Sequence, residues 1–258
     1  MIPVMRGVDR PIIVTGGASG IGRAIAERLA TEGALVGVWD INANAASDVA
    51  AAIVRNGGRA RARAVDITDY ERVQNAAAEF ETAAGSIGGL VNCAGWDRMG
   101  RFVDTDPALW RKVVDINLFG ALNVLHAVLP RMAAKKFGRI VNIASDAGRV
   151  GSSGEAVYSA CKGGLIAIAK TLAREHIADG IVVNTICPGP TETPLLEELA
   201  KDGGYGAKVV PKLERAMPMR RLAQPNDYPG AVAFLLSDDA AYITGQTLSV
   251  SGGLTMHG

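Results

Sequence analysis

Short apolar, β-rich runs alternate with alanine-rich helical patterns along this whole chain, and that alternation restricts the fold more than any other feature. The run Pro11-Ile12-Ile13-Val14 comes first and ends at glycines. Residues 20–32 then carry Ile21, Ile25 and Leu29 at i, i+4 and i+8, one buried helical face. The same reading predicts strands at 35–39, 59–65, 90–92, 139–143, 181–186 and 247–250. Between them it predicts helices at 43–54 (closed by Gly57-Gly58), 69–84, 110–132, 157–176 and 231–236. Strands this apolar, each separated by a helix, require a parallel sheet covered on both faces. Right-handed crossovers make it a doubly wound α/β sheet. With 258 residues, no linker and no internal repeat, the expectation is a single domain over 1–258. The rhythm breaks only between Pro188 and Pro218, a stretch with five prolines and with Gly203, Gly204 and Gly206 between two short helical patterns. An insertion there, after a strand, predicts a helical lid at about 189–218.

Composition narrows the function classes. An apolar share of 48%, only 21% charged residues and a net charge of +1 supply a large core and no global attraction to nucleic acid or membrane. The most basic stretch, Arg59, Arg61 and Arg63 alternating with alanines, has a period of two and reads as a strand with one wet face at a sheet edge. Three cysteines (Cys93, Cys161, Cys187) lack metal-ligand spacing and fit free thiols, so no metal is expected. The N-terminus shows no signal-peptide pattern, and no apolar run approaches the ~20 residues that span a bilayer. A soluble, cytoplasmic protein is expected.

The loop Thr15-Gly16-Gly17-Ala18-Ser19-Gly20-Ile21-Gly22 lies between the first strand and the first helix. Glycine there permits a sharp turn and close backbone approach to a pyrophosphate at a helix N-terminus. Its spacing, Gly-x3-Gly-x-Gly, is also compatible with a plain turn; the flanking strand and helix favour dinucleotide binding in a Rossmann-like fold. Gly16, Ser19, Gly20, Ile21 and Gly22 are therefore candidate cofactor contacts. Asp40 ends the second strand, where a carboxylate accepts both adenosine ribose hydroxyls and repels a 2′-phosphate. Neither Ser19 nor Ile41 brings the positive charge NADP would need, so the expected cofactor is NAD. Asp66, before Ile67, is placed to reach the adenine edge or to cap the next helix.

Tyr158 and Lys162 lie four apart on a helical segment and share a face. A tyrosine with a reference pKa near ~10 needs a downward shift of about three units to act as a base near neutrality. An ammonium one turn away supplies part of that shift, and Lys162 also suits the nicotinamide ribose hydroxyls. Ser145 follows the fifth strand on the ligand-binding edge, placed to hydrogen-bond a substrate oxygen. Asn117 sits inside the long helix, where asparagine is a poor helix former; it is either a buried polar group or the holder of a proton-relaying water.

Taken together, Thr15-Gly16-x3-Gly20-x-Gly22, Asn92-Cys93-Ala94-Gly95, Asn117, Ser145, Tyr158-x3-Lys162 and Pro188-Gly189 resemble the classical short-chain dehydrogenase/reductase family in order and spacing, across essentially the whole chain. The resemblance implies catalytic roles for Asn117, Ser145, Tyr158 and Lys162. It implies that Asn92, Ala94 and Gly95 flank the adenosine side and that Pro188, Gly189, Thr191 and Thr193 meet the nicotinamide end. It further implies a homotetramer built on the helices at 110–132 and 157–176. Cys93 stands where a second asparagine is commoner, and Thr191 where an aliphatic residue is usual. Residues 94–97, 144–158 and 248–258 look closest to members acting on alicyclic hydroxyacyl-CoA thioesters. The expected activity is thus NAD-dependent oxidation of a secondary alcohol, with a 3-hydroxyacyl-CoA as the leading small-molecule substrate class. The rival readings are an NADPH-dependent 3-oxoacyl carrier-protein reductase, a sugar or aryl alcohol dehydrogenase, and a catalytically silent nucleotide-binding protein. Arg149, four residues past Ser145, is placed either to bind a substrate anion or to brace its loop, and Cys161 reads as core or interface.

Overall fold

A computed structural model describes residues 8–201 and 204–256. Seven strands form one parallel sheet among them: β1 (Pro11–Thr15), β2 (Leu35–Asp40), β3 (Arg59–Ala64), β4 (Gly89–Asn92), β5 (Gly138–Ile143), β6 (Ile181–Pro188) and β7 (Thr247–Val250). Their order is β3-β2-β1-β4-β5-β6-β7. The chain therefore winds outward from β1 in one direction and from β4 in the other. The topological switch lies between β1 and β4, paired through Ile12–Gly89, Ile13–Leu90 and Val14–Val91, and in such sheets the crevice above that point receives the ligand.

The alternation along β1 shows why both faces need cover. Ile12 and Val14 join a core with Ile25 and Leu29 of α1 (Gly20–Thr31), Val49 and Ile53 of α2 (Ala43–Arg55), and Val232 and Leu236 of the late helix Pro229–Leu236. Ile13 points the other way, into a core with Val73 and Phe80 of α3 (Tyr70–Ala84) and with Val124, Val128 and Met132. β3 is the expected edge strand, but both of its faces are wet: only Ala60 is half-buried, and Arg63 pairs with Glu79.

Two expectations change. The helix expected at 110–132 begins earlier, because Asp106 caps it through Leu109 N–H and Pro107 occupies its first turn. It runs as α4 (Pro107–Val114), a π-helical turn (Asp115–Phe119) and α5 (Gly120–Ala134). Contrary to the sequence reading, the continuous segment Pro107–Ala134 is long and apolar enough to cross a membrane by length and composition. Half of it is buried against the sheet and its neighbours, so its apolarity is used as core.

Two helices complete the site edge, the short α6 (Ala147–Val150) and the long α7 (Ala156–His176). After β6, the insertion forms α8 (Pro194–Lys201) and α9 (Tyr205–Ala216). Gly203, one of the three glycines singled out there, falls outside the described residues. The late helix, α10 (Pro229–Leu236), then leads to β7.

Candidate active site

A cavity of about 790 Å³ opens over the C-terminal ends of the strands, running from Asp40 and Ile41 at one end to the α8–α9 lid at the other. Gly16, Ser19, Gly20, Ile21 and Gly22 line one stretch of it, with Ile67, Ala94, Gly95, Pro188, Gly189, Thr191 and Thr193. Gly16 has a φ of +64°, and a Cβ there would stand 2.9 Å from Ala94 Cα; one on Gly22 would drive into the Gly16 carbonyl. Glycine at these positions lets the loop fold tightly on itself and on the segment after β4, so that backbone lines this stretch of the cavity at the start of α1, which fits a dinucleotide pyrophosphate. Thr15 fixes the loop to the end of β4, its hydroxyl accepting from Cys93 N–H at 3.0 Å and Ala94 N–H at 3.1 Å.

Asp40 caps the turn after β2 and the glycine loop together. One carboxylate oxygen accepts from Ala18 N–H at 3.1 Å, the other from Asn42 N–H at 3.0 Å. Each oxygen keeps further acceptor capacity, and the residue lines the cavity. Asp66 does not line the cavity; its carboxylate accepts from the Thr68 N–H and hydroxyl and closes a turn. Asn92 is also outside the lining, buried, and committed to the Ala121 carbonyl and to Thr15. Thr191 lines the cavity but spends its hydroxyl on Gly189 O and Tyr228 Oη, while Thr193 caps α8 at Leu196 N–H.

Ser145, Tyr158 and Lys162 meet on one wall. The Ser145 hydroxyl hydrogen-bonds to that of Tyr158 and accepts from Ala147 N–H at 3.1 Å. Lys162 is 3% exposed; its Nζ donates to the Ile143 carbonyl at 3.1 Å and lies 5.4 Å from the Tyr158 ring centre. Burial pushes the Lys162 ammonium's pKa down. The protein's own groups also reverse the shift expected for Tyr158. Burial is the largest cause, Glu155 and Asp97 add to it, and the phenol is held well above its ordinary value despite the Ser145 hydrogen bond.

Asn117 lies in the middle of the π turn and is fully buried, outside the cavity lining. Its amide donates to Trp96 O at 2.6 Å and Val113 O at 2.9 Å and accepts from Trp96 N–H at 3.2 Å. The side chain thus clamps the loop after β4 onto the helix, where π turns recur near functional sites. Arg149 braces its loop: it donates to the Ser249 hydroxyl at 2.8 Å, which in turn bonds Asp146. Cys161 is buried, 4.0 Å from Val113 O. His126 bonds Tyr70 and His176 bonds Asp179, away from the cavity; His257 lies outside the described residues. No group of metal-ligating side chains occurs among the described residues.

From sequence, residues 146–157 and the lid are expected to wall the substrate pocket, and Val150 and the lid residues Leu195, Leu196, Leu199, Val209 and Leu213 do line the cavity; the reading missed the apolar lining from Trp96 and Met99. Strong amphipathicity of the two lid helices fits their share of that lining. Glu155 lines the cavity within the 146–157 stretch, but its pairing with Asp97 follows from no sequence pattern.

Residues 16–255 match the family model described as Enoyl-(Acyl carrier protein) reductase. The chain belongs to the short-chain dehydrogenase/reductase family. This dehydrogenase/reductase is 37% identical over 250 residues to an acetoacetyl-CoA reductase of Allochromatium vinosum, covering 96% of this chain and 99% of the relative. It is 36% identical over 244 residues to the 3-oxoacyl-[acyl-carrier-protein] reductase FabG of Escherichia coli, covering 95% and 96%. Among solved structures, levodione reductase superposes with a TM-score of 0.91 at 31% identity, covering 96% of this chain and 98% of that one. The chain is therefore an oxidoreductase with a Rossmann-like fold.

Proposed function

We propose that this enzyme interconverts a secondary alcohol and its ketone with NAD as cofactor, and that its substrate is a 3-hydroxyacyl thioester, with an alicyclic acyl group such as 2-hydroxycyclohexanecarboxyl-CoA the leading case. The observation that carries the reading is the convergence of Ser145, Tyr158 and Lys162 on one wall of a cavity whose far end is closed by Asp40. A nicotinamide dinucleotide held by the glycine loop, Asp40 and the Pro188–Thr193 segment would supply the hydride acceptor or donor. The protein's residues do the rest. Ser145 donates to the substrate oxygen, and Tyr158 takes the hydroxyl proton in oxidation or returns it in reduction. Lys162, its Nζ anchored on Ile143 O, presents a cation under the phenol, and Asn117 serves any water relay through its backbone, since its amide is fully committed.

The apolar lid favours an acyl or alicyclic group over a sugar. The 3-oxoacyl thioester theme shared by the two relatives' names supports a β-oxygenated thioester. Asp40 supports NAD over NADP, because both of its oxygens are fixed where a 2′-phosphate would come. The enzyme is expected to work in the cytoplasm as a homotetramer. Initial rates with NAD and NADP across hydroxyacyl-CoAs, free hydroxy acids, sugar alcohols and aryl alcohols test the proposal. Turnover with NADP alone, or only with sugars, overturns it.

A further inference from the structure

Two carboxyl groups meet beside the catalytic tyrosine without belonging to the catalytic set. Glu155 immediately precedes α7, three residues before Tyr158, and lines the cavity with Tyr158, Ser152 and Val150. Asp97 comes from the loop after β4 and is 4% exposed, with one oxygen that has no hydrogen-bond partner. A backbone bond from Gly100 N–H to Gly154 O, 2.9 Å, staples the two loops together and presses the carboxyls side by side. Asp97 hydrogen-bonds to Glu155, and Glu155 also takes a bond from Ser152.

A buried carboxyl beside a half-buried one cannot ionise cheaply while its neighbour is charged, so the pair shares a proton. Asp97 holds it: burial, and then Glu155, push its pKa up to about 7. Burial pushes Glu155 up as well, but it is the less buried of the two and lines the cavity, so it is the member placed to carry the charge. Behind the pair a void of about 20 Å³, lined by Asp97, Glu155 and Tyr158, has room for roughly one water. The charge faces a pocket whose lining combines the apolar Trp96, Met99 and Val150 with the polar Ser145, Ser152, Tyr158 and Lys162.

We propose that Glu155, backed by Asp97, is a specificity-determining residue: its negative charge at the Tyr158 end of the pocket excludes alcohols bearing a free carboxylate and admits those whose carboxyl is masked as an ester or thioester. The proposal rests on the alcohol–ketone reading above and refines its substrate class. A carboxylate on the carbon next to the reacting one would approach Glu155 as it approaches Tyr158. A like charge about 6 Å away, at an effective dielectric of about 40, lowers affinity roughly tenfold.

The test compares 2-hydroxycyclohexanecarboxylate with its methyl ester as substrates, and cyclohexanecarboxylate with cyclohexanecarboxamide as non-reacting ligands. Wild type, Glu155→Gln and Asp97→Asn are each measured in the presence of NAD. In wild type the ester-to-acid ratio of kcat/KM is expected to be about ten or more. Glu155→Gln, which keeps the hydrogen bonds to Asp97 and Ser152, brings that ratio close to one, mainly through a lower KM for the acid. Binding by calorimetry follows the same order: wild type prefers the amide, and Glu155→Gln binds both alike. A ratio unchanged by Glu155→Gln, or a wild type that binds acid and amide equally or neither, overturns the filter. If neither alcohol turns over but the ligand discrimination appears and is lost in Glu155→Gln, the filter stands and the substrate reading falls. Asp97→Asn keeps a charged Glu155 and should retain the discrimination; its loss there alone would overturn the assignment to Glu155.

Discussion

Replacing Asp40 by alanine should collapse the proposed preference for NAD over NADP, and the size of the collapse follows from the site. In the wild type the carboxylate is fixed at the end of β2 by the Ala18 and Asn42 N–H groups, so it cannot swing away from an incoming 2′-phosphate. A phosphate monoester carries nearly two negative charges near neutrality, and a carboxylate about 4–5 Å away repels it. With an effective dielectric of about 40–80, reflecting a half-exposed site, the penalty is about 2–4 kcal/mol, or a preference of roughly 30- to 1,000-fold. Asp40→Ala removes this repulsion. It also frees the two loop N–H groups, at a cost of about 0.5–1.5 kcal/mol each in stability. That cost cancels when both cofactors are assayed on the same variant. The measurement is kcat/KM for NAD and for NADP at low ionic strength and again at high salt. The wild-type ratio should fall as salt screens the repulsion. Adding Ile41→Arg, at a position 72% exposed beside the cavity end, should carry the ratio below one. A ratio that Asp40→Ala leaves unchanged would refute the electrostatic reasoning, whatever the absolute rates.

Tyr158→Phe should lower kcat by about 10²- to 10⁴-fold while NADH still binds, read by cofactor fluorescence. The pH dependence follows from the direction of the Tyr158 shift. Burial, Glu155 and Asp97 keep the phenol protonated, so ketone reduction should proceed at neutral pH and fall as the phenol ionises at high pH, while alcohol oxidation rises with pH. Paired pH profiles of kcat/KM check this, and an oxidation rate that falls from pH 7 to 9 contradicts it. Asn117→Leu should destabilise the fold by about 2–4 kcal/mol, because Trp96 N–H and the carbonyls of Trp96 and Val113 lose their partner; urea unfolding measures it. Leu199→Ser in the lid should raise KM for apolar substrates several-fold with little change in the KM for NAD.

What was legible in the chain and what was not divides along a physical line. Period and punctuation act locally, so the seven strands and the glycine loop could be read from residues within a few positions of one another. Ser145, Tyr158 and Lys162 could be read because a parallel sheet delivers every strand's C-terminal end to one edge, whatever the intervening sequence. Asp97 and Glu155 are 58 positions apart and carry no periodicity, and it is the fold, with the Gly100–Gly154 bond between their loops, that brings them together. Their meeting also explains why the Tyr158 shift came out with the opposite sign. From sequence the nearest charge is Lys162, one turn along the same helix. In space the phenol is buried against two carboxyls, and the cost of burial outweighs the field of a cation that is itself desolvated. The asparagine shows the same division. Its poor helix propensity marks Asn117 as exceptional, but only the fold shows that the exception is a π turn whose extra residue turns the amide onto the loop bearing Trp96 and Asp97. One buried side chain therefore holds the helix and the loop that carries Asp97 in register. Loosening it should disturb substrate discrimination as well as stability.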